Sequence, residues 1–165
     1  MKVEGKFSNH TNITAVRKLT ISGLVMALYI AVMFFTQGFA FGQYQIRIAT
    51  SLYALSAIFP FLIVPMGMSN LLSNTLMGGL GLPDMIGGFI VGIITSTAIY
   101  SIKRYNLSEW LIAIPIILGP GLIVPIWLSY LLNVPYTILA SSIVIGQIIP
   151  GITGVLLVKQ LRDKV

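Results

Sequence analysis

The chain has 165 residues, 56% of them hydrophobic and only 8% charged, with a formal net charge of +6 and a mean hydropathy of +0.95. A soluble domain carries about a quarter charged residues, and one of this size still exposes about a third of its surface, so water is excluded as the main solvent. At about 20 residues per spanning helix, six spans take roughly 120 residues and leave no room for a further soluble domain.

Residues 1–18 form a polar tail, expected on the cytoplasmic side. Its Asn9 and Asn12 sequons then carry no glycosylation signal, and its His10 is the only histidine. With no cysteine present, disulfides, thiolate nucleophiles and zinc–cysteine sites are excluded. No G-x-x-x-x-G-K-[ST] stretch occurs, so the chain has no P-loop with which to hydrolyse ATP. The first apolar run is too long for a signal-peptide core, and no small-x-small cleavage site follows it.

Six apolar segments follow at Leu19–Phe35, Ile48–Phe59, Phe61–Met77, Met85–Ile102, Trp110–Leu131 and Tyr136–Val158. They predict an all-α membrane protein with a domain over 19–160 and a short cytoplasmic tail at 161–165. The division between the second and third segments is the weakest, marked only by Pro60 and Pro65. With the N-terminus inside, Lys2, Lys6, Arg17, Lys18, Lys103, Arg104, Lys159, Arg162 and Lys164 all fall inside, nine of the ten basic residues. The positive charge therefore reads as a topology signal with both termini cytoplasmic, and not as a nucleic-acid patch. Neither tandem nor inverted repeats are evident.

Span one carries Ala27-Leu28-Tyr29-Ile30-Ala31, a small-x-x-x-small pair that admits a neighbouring helix, and span four repeats the pattern at Gly88 and Gly92. Between Leu19 and Val158 only Arg47, Asp84, Lys103, Arg104 and Glu109 are charged. The last three belong to an inner loop, with Ser108 expected to cap the fifth helix. Arg47 and Asp84 both fall on the outer side. Arg47 reads as a ligand contact, an interfacial anchor or the ion-pair partner of Asp84. Asp84, beside the glycine-rich Gly78-Gly79-Leu80-Gly81, reads either as a carboxylate at a helix N-terminus or as a ligand acceptor.

Asn70 and Asn74 lie one turn apart on span three and share a face, Gln147 lies midway along span six, and Tyr130, Asn133 and Tyr136 surround the last outer turn. Amides within spans either join helices or read the edge of a planar heterocycle whose faces tyrosines cover. Gly119-Pro120-Gly121 and Pro125 predict a break in span five that shapes a cavity.

Together these features resemble the substrate-binding S components of energy-coupling factor (ECF) importers, and the QueT family in particular. The resemblance rests on Ala27-x-x-x-Ala31, Gln45-Ile46-Arg47-Ile48, Ser69-Asn70-Leu71-Leu72, and Gly78-Gly79-Leu80-Gly81 with Asp84. It implies a six-helix bundle in the prokaryotic cytoplasmic membrane that captures a queuosine precursor of the 7-deazaguanine type from outside. It also implies partners, namely a transmembrane coupling subunit docked at Ala27 and Ala31 and two cytosolic ATPase subunits. No cofactor, metal or catalytic residue is implied. The expected ligand site comprises Gln45, Arg47, Asn70, Asn74, Asp84, Tyr136 and Gln147. QueT-like sequences commonly carry a glutamate where Thr50 stands here, which leaves other vitamins, cobalamin among them, as alternative cargo. A stand-alone ion-coupled carrier or channel is the rival from another class. An enzyme would need a paired acid and base that this inventory lacks.

Overall fold

The computed structural model describes residues 14–42, 44–78, 80–162 and 164. The expected tail as far as residue 13, with His10, Asn9 and Asn12, lies outside them, as do Gln43 and Gly79. Among the described residues the chain is predominantly helical and contains no strand.

Helix α1 spans Ala15–Ala40 and starts where the Thr14 side chain accepts a hydrogen bond from the Arg17 amide at 3.3 Å. Few of its residues are buried (Tyr29, Met33 and Ala40). A helix apolar all round and mostly unburied in its own protein needs a non-aqueous surrounding.

The expected second span is a 3₁₀ helix, Ile48–Ala57, whose residues from Ala49 onward are all buried. Its small residues Ala49, Ser51, Ala54, Ser56 and Ala57 let it thread the middle of the bundle. Ten residues at about 2.0 Å each reach only about 20 Å, less than a hydrocarbon core of about 30 Å. The expected third span divides into a 3₁₀ turn Pro60–Leu62, helix α2 at Ile63–Ser73 and a π-helical turn Asn74–Gly78.

Helix α3 (Leu82–Arg104) begins after Gly81, whose φ of +83° requires glycine. Pro83 and Asp84 occupy its first turn and Lys103 and Arg104 its last, each suited to the helix dipole. A 3₁₀ turn Glu109–Ile112 then leads into α4 (Ala113–Leu132), and α5 covers Tyr136–Arg162. Ser108 sits at the expected capping position, but its side chain makes no cap hydrogen bond. Asn133 ends α4 in the left-handed conformation at φ 52°. The four segments with length and composition to cross a membrane are Ala15–Ala40, Leu82–Arg104, Glu109–Leu132 and Tyr136–Arg162.

The main core gathers Tyr29, Met33, Tyr53, Leu62, Met66, Ile99, Ile116 and Val155, and a smaller one joins Val91, Val124, Leu128 and Ile143. The glycines of α3 serve packing within the chain. A Cβ at Gly92 would stand 2.8 Å from the Gly67 Cα of α2, and one at Gly88 would stand 2.7 Å from Asn74 Nδ2. The Gly88/Gly92 stripe is thus already covered by α2. At the Lys103 end of α3, Glu109 accepts from Lys103 at 3.4 Å and Arg162 at 2.8 Å, while Lys159 Nζ lies 4.1 Å over the Trp110 ring. Asp84 is at the opposite end of α3, about 30 Å away at 1.5 Å per residue.

Candidate functional site: a buried polar network at the Asp84 end

Six of the seven expected site residues, Gln45, Arg47, Asn70, Asn74, Asp84 and Gln147, are buried. Arg47 is the hub. Its Nη1 donates to Asn70 Oδ1 at 3.2 Å and to Asn74 Oδ1 at 3.1 Å, and its Nε to the Ala40 carbonyl at 3.4 Å. The guanidinium carbon lies 4.8 Å over the Phe41 ring. The shared face of Asn70 and Asn74 is what lets one nitrogen reach both amides. Asn74 is buried and opens a π-helical turn, and such π turns often mark functional positions.

Each asparagine passes the network onward. Asn70 Nδ2 donates to the Tyr53 hydroxyl at 2.7 Å, and that hydroxyl lies 3.3 Å from the Tyr29 hydroxyl. The two tyrosine rings stack at 5.9 Å. Asn74 Nδ2 donates to the backbone carbonyl of Asp84 at 3.0 Å. Asn74 therefore stands between Arg47 and Asp84, and among the described residues these two form no ion pair.

The Asp84 carboxylate faces α4, where its Oδ1 accepts from the indole Nε1 of Trp127 at 3.1 Å. Its Oδ2 is buried with no hydrogen-bond partner. The carboxylate lies in the first turn of α3 without serving as its side-chain cap.

On the other flank the loop 44–47 rests on α5. Gln147 Nε2 donates to the Gln45 carbonyl at 2.8 Å, and the Thr50 hydroxyl faces both Gln147 Oε1 (2.8 Å) and the Arg47 carbonyl (2.7 Å). Gln45 takes a φ of 43°, a conformation non-glycine residues seldom hold. The loop sits so close that a Cβ on Gly146 would collide with the Tyr44 carbonyl.

Tyr136 stands apart. It is 40% exposed, and its hydroxyl donates to the Leu122 carbonyl at 2.9 Å. Tyr130 is also exposed. Sequence reasoning missed Tyr29, Tyr53 and Trp127, although a tyrosine or tryptophan in an apolar span must find a hydrogen-bond partner. A buried arginine fixed by amides, with a carboxylate nearby, is a polar constellation that lipid-embedded helices keep chiefly for a functional site. No group of three metal-ligating side chains occurs among the described residues.

The chain matches the model of the QueT transporter family over residues 19–163. It belongs to the QueT transporter family. Neither curated proteins nor solved structures give a match. As a member of a transporter family with four long apolar helices, the chain is a multi-pass membrane protein built for transport rather than catalysis. The matched region takes in the whole polar network and all of α2 to α4, so the network lies inside the QueT transporter unit.

Proposed function

We propose that this QueT-family chain is the substrate-binding S component of an ECF-type importer in a prokaryotic cytoplasmic membrane, with a 7-deazaguanine queuosine precursor as cargo. In this reading all six helical segments lie in the bilayer with both termini cytoplasmic. The 3₁₀ helix Ile48–Ala57 and the segment 60–73 are the two short ones. The network around Arg47 is the outward-facing site, and the loop 44–47 closes over it. Energy comes from a transmembrane coupling subunit and two cytosolic ATPases.

One observation carries the reading: Arg47 is buried and fixed by two amides one turn apart. Amides, a guanidinium and a carboxylate gathered at one end of the bundle are donors and acceptors of the kind that suits a purine-like edge better than a lipid or a bare ion. Docking of the coupling subunit is assigned to α1, where Ala27 and Ala31 border an open apolar groove of about 710 Å³ with Ile30, Phe34, Leu76 and Met77.

The test is titration of the purified protein with 7-aminomethyl-7-deazaguanine. Saturable binding at micromolar ligand supports the assignment, whereas absent binding, or tighter binding of cobalamin, overturns the cargo. Uptake into vesicles that lack any ATPase would instead favour a stand-alone carrier.

A further inference from the structure

We infer that Asp84 is the subsite for a protonated amine on the ligand, so that the site selects a cationic base over its uncharged counterpart. This inference rests on the reading above, in which the same end of the bundle binds a 7-deazaguanine base.

The carboxylate is half satisfied. Trp127 Nε1 holds Oδ1 at 3.1 Å, while Oδ2 is buried without a hydrogen-bond partner and Asp84 as a whole is only 2% exposed. Its neighbours have their donors engaged elsewhere. Asn74 Nδ2 is directed at the Asp84 backbone carbonyl, and Arg47 is directed at Asn70, Asn74 and Ala40. Among the described residues no lysine, arginine or histidine nitrogen comes within salt-bridge distance of the Asp84 carboxylate. Buried carboxylate oxygens normally have a donor, so an orphaned one is a place where a partner is missing.

Glycine at position 78 keeps that oxygen uncrowded. A Cβ at Gly78 would stand 3.0 Å from Asp84 Oδ2, 3.4 Å from Phe41 Cε1 and 3.6 Å from Asn74 Cβ, so any side chain there would press on the free oxygen. An ammonium suits this oxygen because it is a compact donor of three hydrogen bonds. A nitrile or carbonyl would set its lone pair against that of Oδ2, and a carboxylate or phosphate would repel Asp84 outright. A metal ion would need further ligands, and no group of three is present among the described residues.

The experiment compares binding of 7-aminomethyl-7-deazaguanine, protonated at pH 7, with that of the uncharged 7-cyano-7-deazaguanine by the full chain in nanodiscs. The amine should bind at least about tenfold tighter, as expected for a charge-assisted hydrogen bond. In Asp84→Asn, which keeps the shape and an acceptor for Trp127, the ratio should fall to about one. Gly78→Ala leaves the carboxylate chemically unaltered but sets a Cβ 3.0 Å from Oδ2, and should lower the ratio as well, which covers the case of an Asp84→Asn protein that fails to fold. Equal binding of the two bases by the unaltered protein, or a ratio that survives both substitutions, overturns the subsite and leaves the cargo assignment standing. Failure of both bases to bind the unaltered protein overturns the cargo assignment and the subsite with it.

Discussion

The Thr50 hydroxyl lies 2.8 Å from Gln147 Oε1 and 2.7 Å from the carbonyl of Arg47. One side chain thus ties α5 to the arginine at the hub of the network. The family resemblance places a glutamate at this position, where a ligand contact would be natural. Thr50 instead has its hydroxyl occupied within the protein, so under the proposed function its effect on a ligand would run through the position of Arg47. Thr50→Val keeps the shape and removes the hydroxyl, stranding a buried acceptor on Gln147. That should cost about 1–3 kcal/mol of stability and weaken ligand binding several-fold, whereas Thr50→Ser should preserve both. Thermal unfolding and ligand titration of the two variants measure this, and a valine variant with unaltered melting and affinity would refute it.

Gly146→Ala tests how tightly the loop 44–47 is seated. The added Cβ meets the carbonyl of Tyr44, so the loop must lift from α5 and the Gln147–Gln45 bond must lengthen. Overpacking of this kind costs about 1–3 kcal/mol. Here it should fall on the loop, because α5 itself gains helix propensity from the change. The expected result is unchanged helical circular dichroism with ligand affinity reduced tenfold or more. Unchanged affinity would show that the loop does not need its contact with Gly146.

How far the sequence foretold this arrangement depends on the segment. The long apolar runs became α1, α3, α4 and α5 because apolar runs of 17 to 23 residues leave a chain in lipid no choice but helix. The region from Ile48 to Gly78 was less legible. Its lack of charge reads as two short spans, yet it folds as 3₁₀, α and π segments, because its first part is buried in the protein and its side chains answer to neighbours that hydropathy does not record. The site followed the same rule. Asn70 and Asn74 share a face in any helix, so their meeting could be read from spacing. The meeting of Thr50 with Gln147 and of Asp84 with Trp127 joins residues far apart in sequence, and nothing local encodes it.

Arg47→Lys keeps the charge and loses the fork. An ammonium at that depth cannot serve the Ala40 carbonyl and both amides from two separate nitrogens as the guanidinium does. Losing hydrogen bonds to a charged group costs about 1.5–3 kcal/mol. The lysine variant should unfold at lower temperature and bind ligand at least tenfold more weakly. Equal binding by Arg47→Lys would mean that charge alone, without geometry, serves the ligand.

Tyr136→Phe separates the network from its surroundings. The Tyr136 hydroxyl is directed at the Leu122 carbonyl on α4, and it makes no hydrogen bond to the other six site residues among the described residues. Removing it should change ligand affinity by less than about twofold, with a stability loss near 1 kcal/mol. A tenfold loss in titration would instead bring Tyr136 into the site.

The groove on α1 predicts a variant that separates capture from delivery. Ala27 and Ala31 are exposed one turn apart, with Phe34, Leu76 and Met77 along the same groove. Small residues there let a partner helix approach closely. Ala27→Leu with Ala31→Leu raises the groove floor and should abolish cellular uptake in the presence of an intact coupling module. Tyr29, between the two alanines in sequence, is completely buried and stacks on Tyr53, whereas Ala27 and Ala31 are exposed, so ligand affinity of the purified double variant should stay within about twofold of the parent. Leucine also suits a lipid-facing helix position, so folding should not suffer. Uptake at the parent rate would show that the coupling subunit engages another surface. Loss of ligand binding together with uptake would show that α1 supports the site itself.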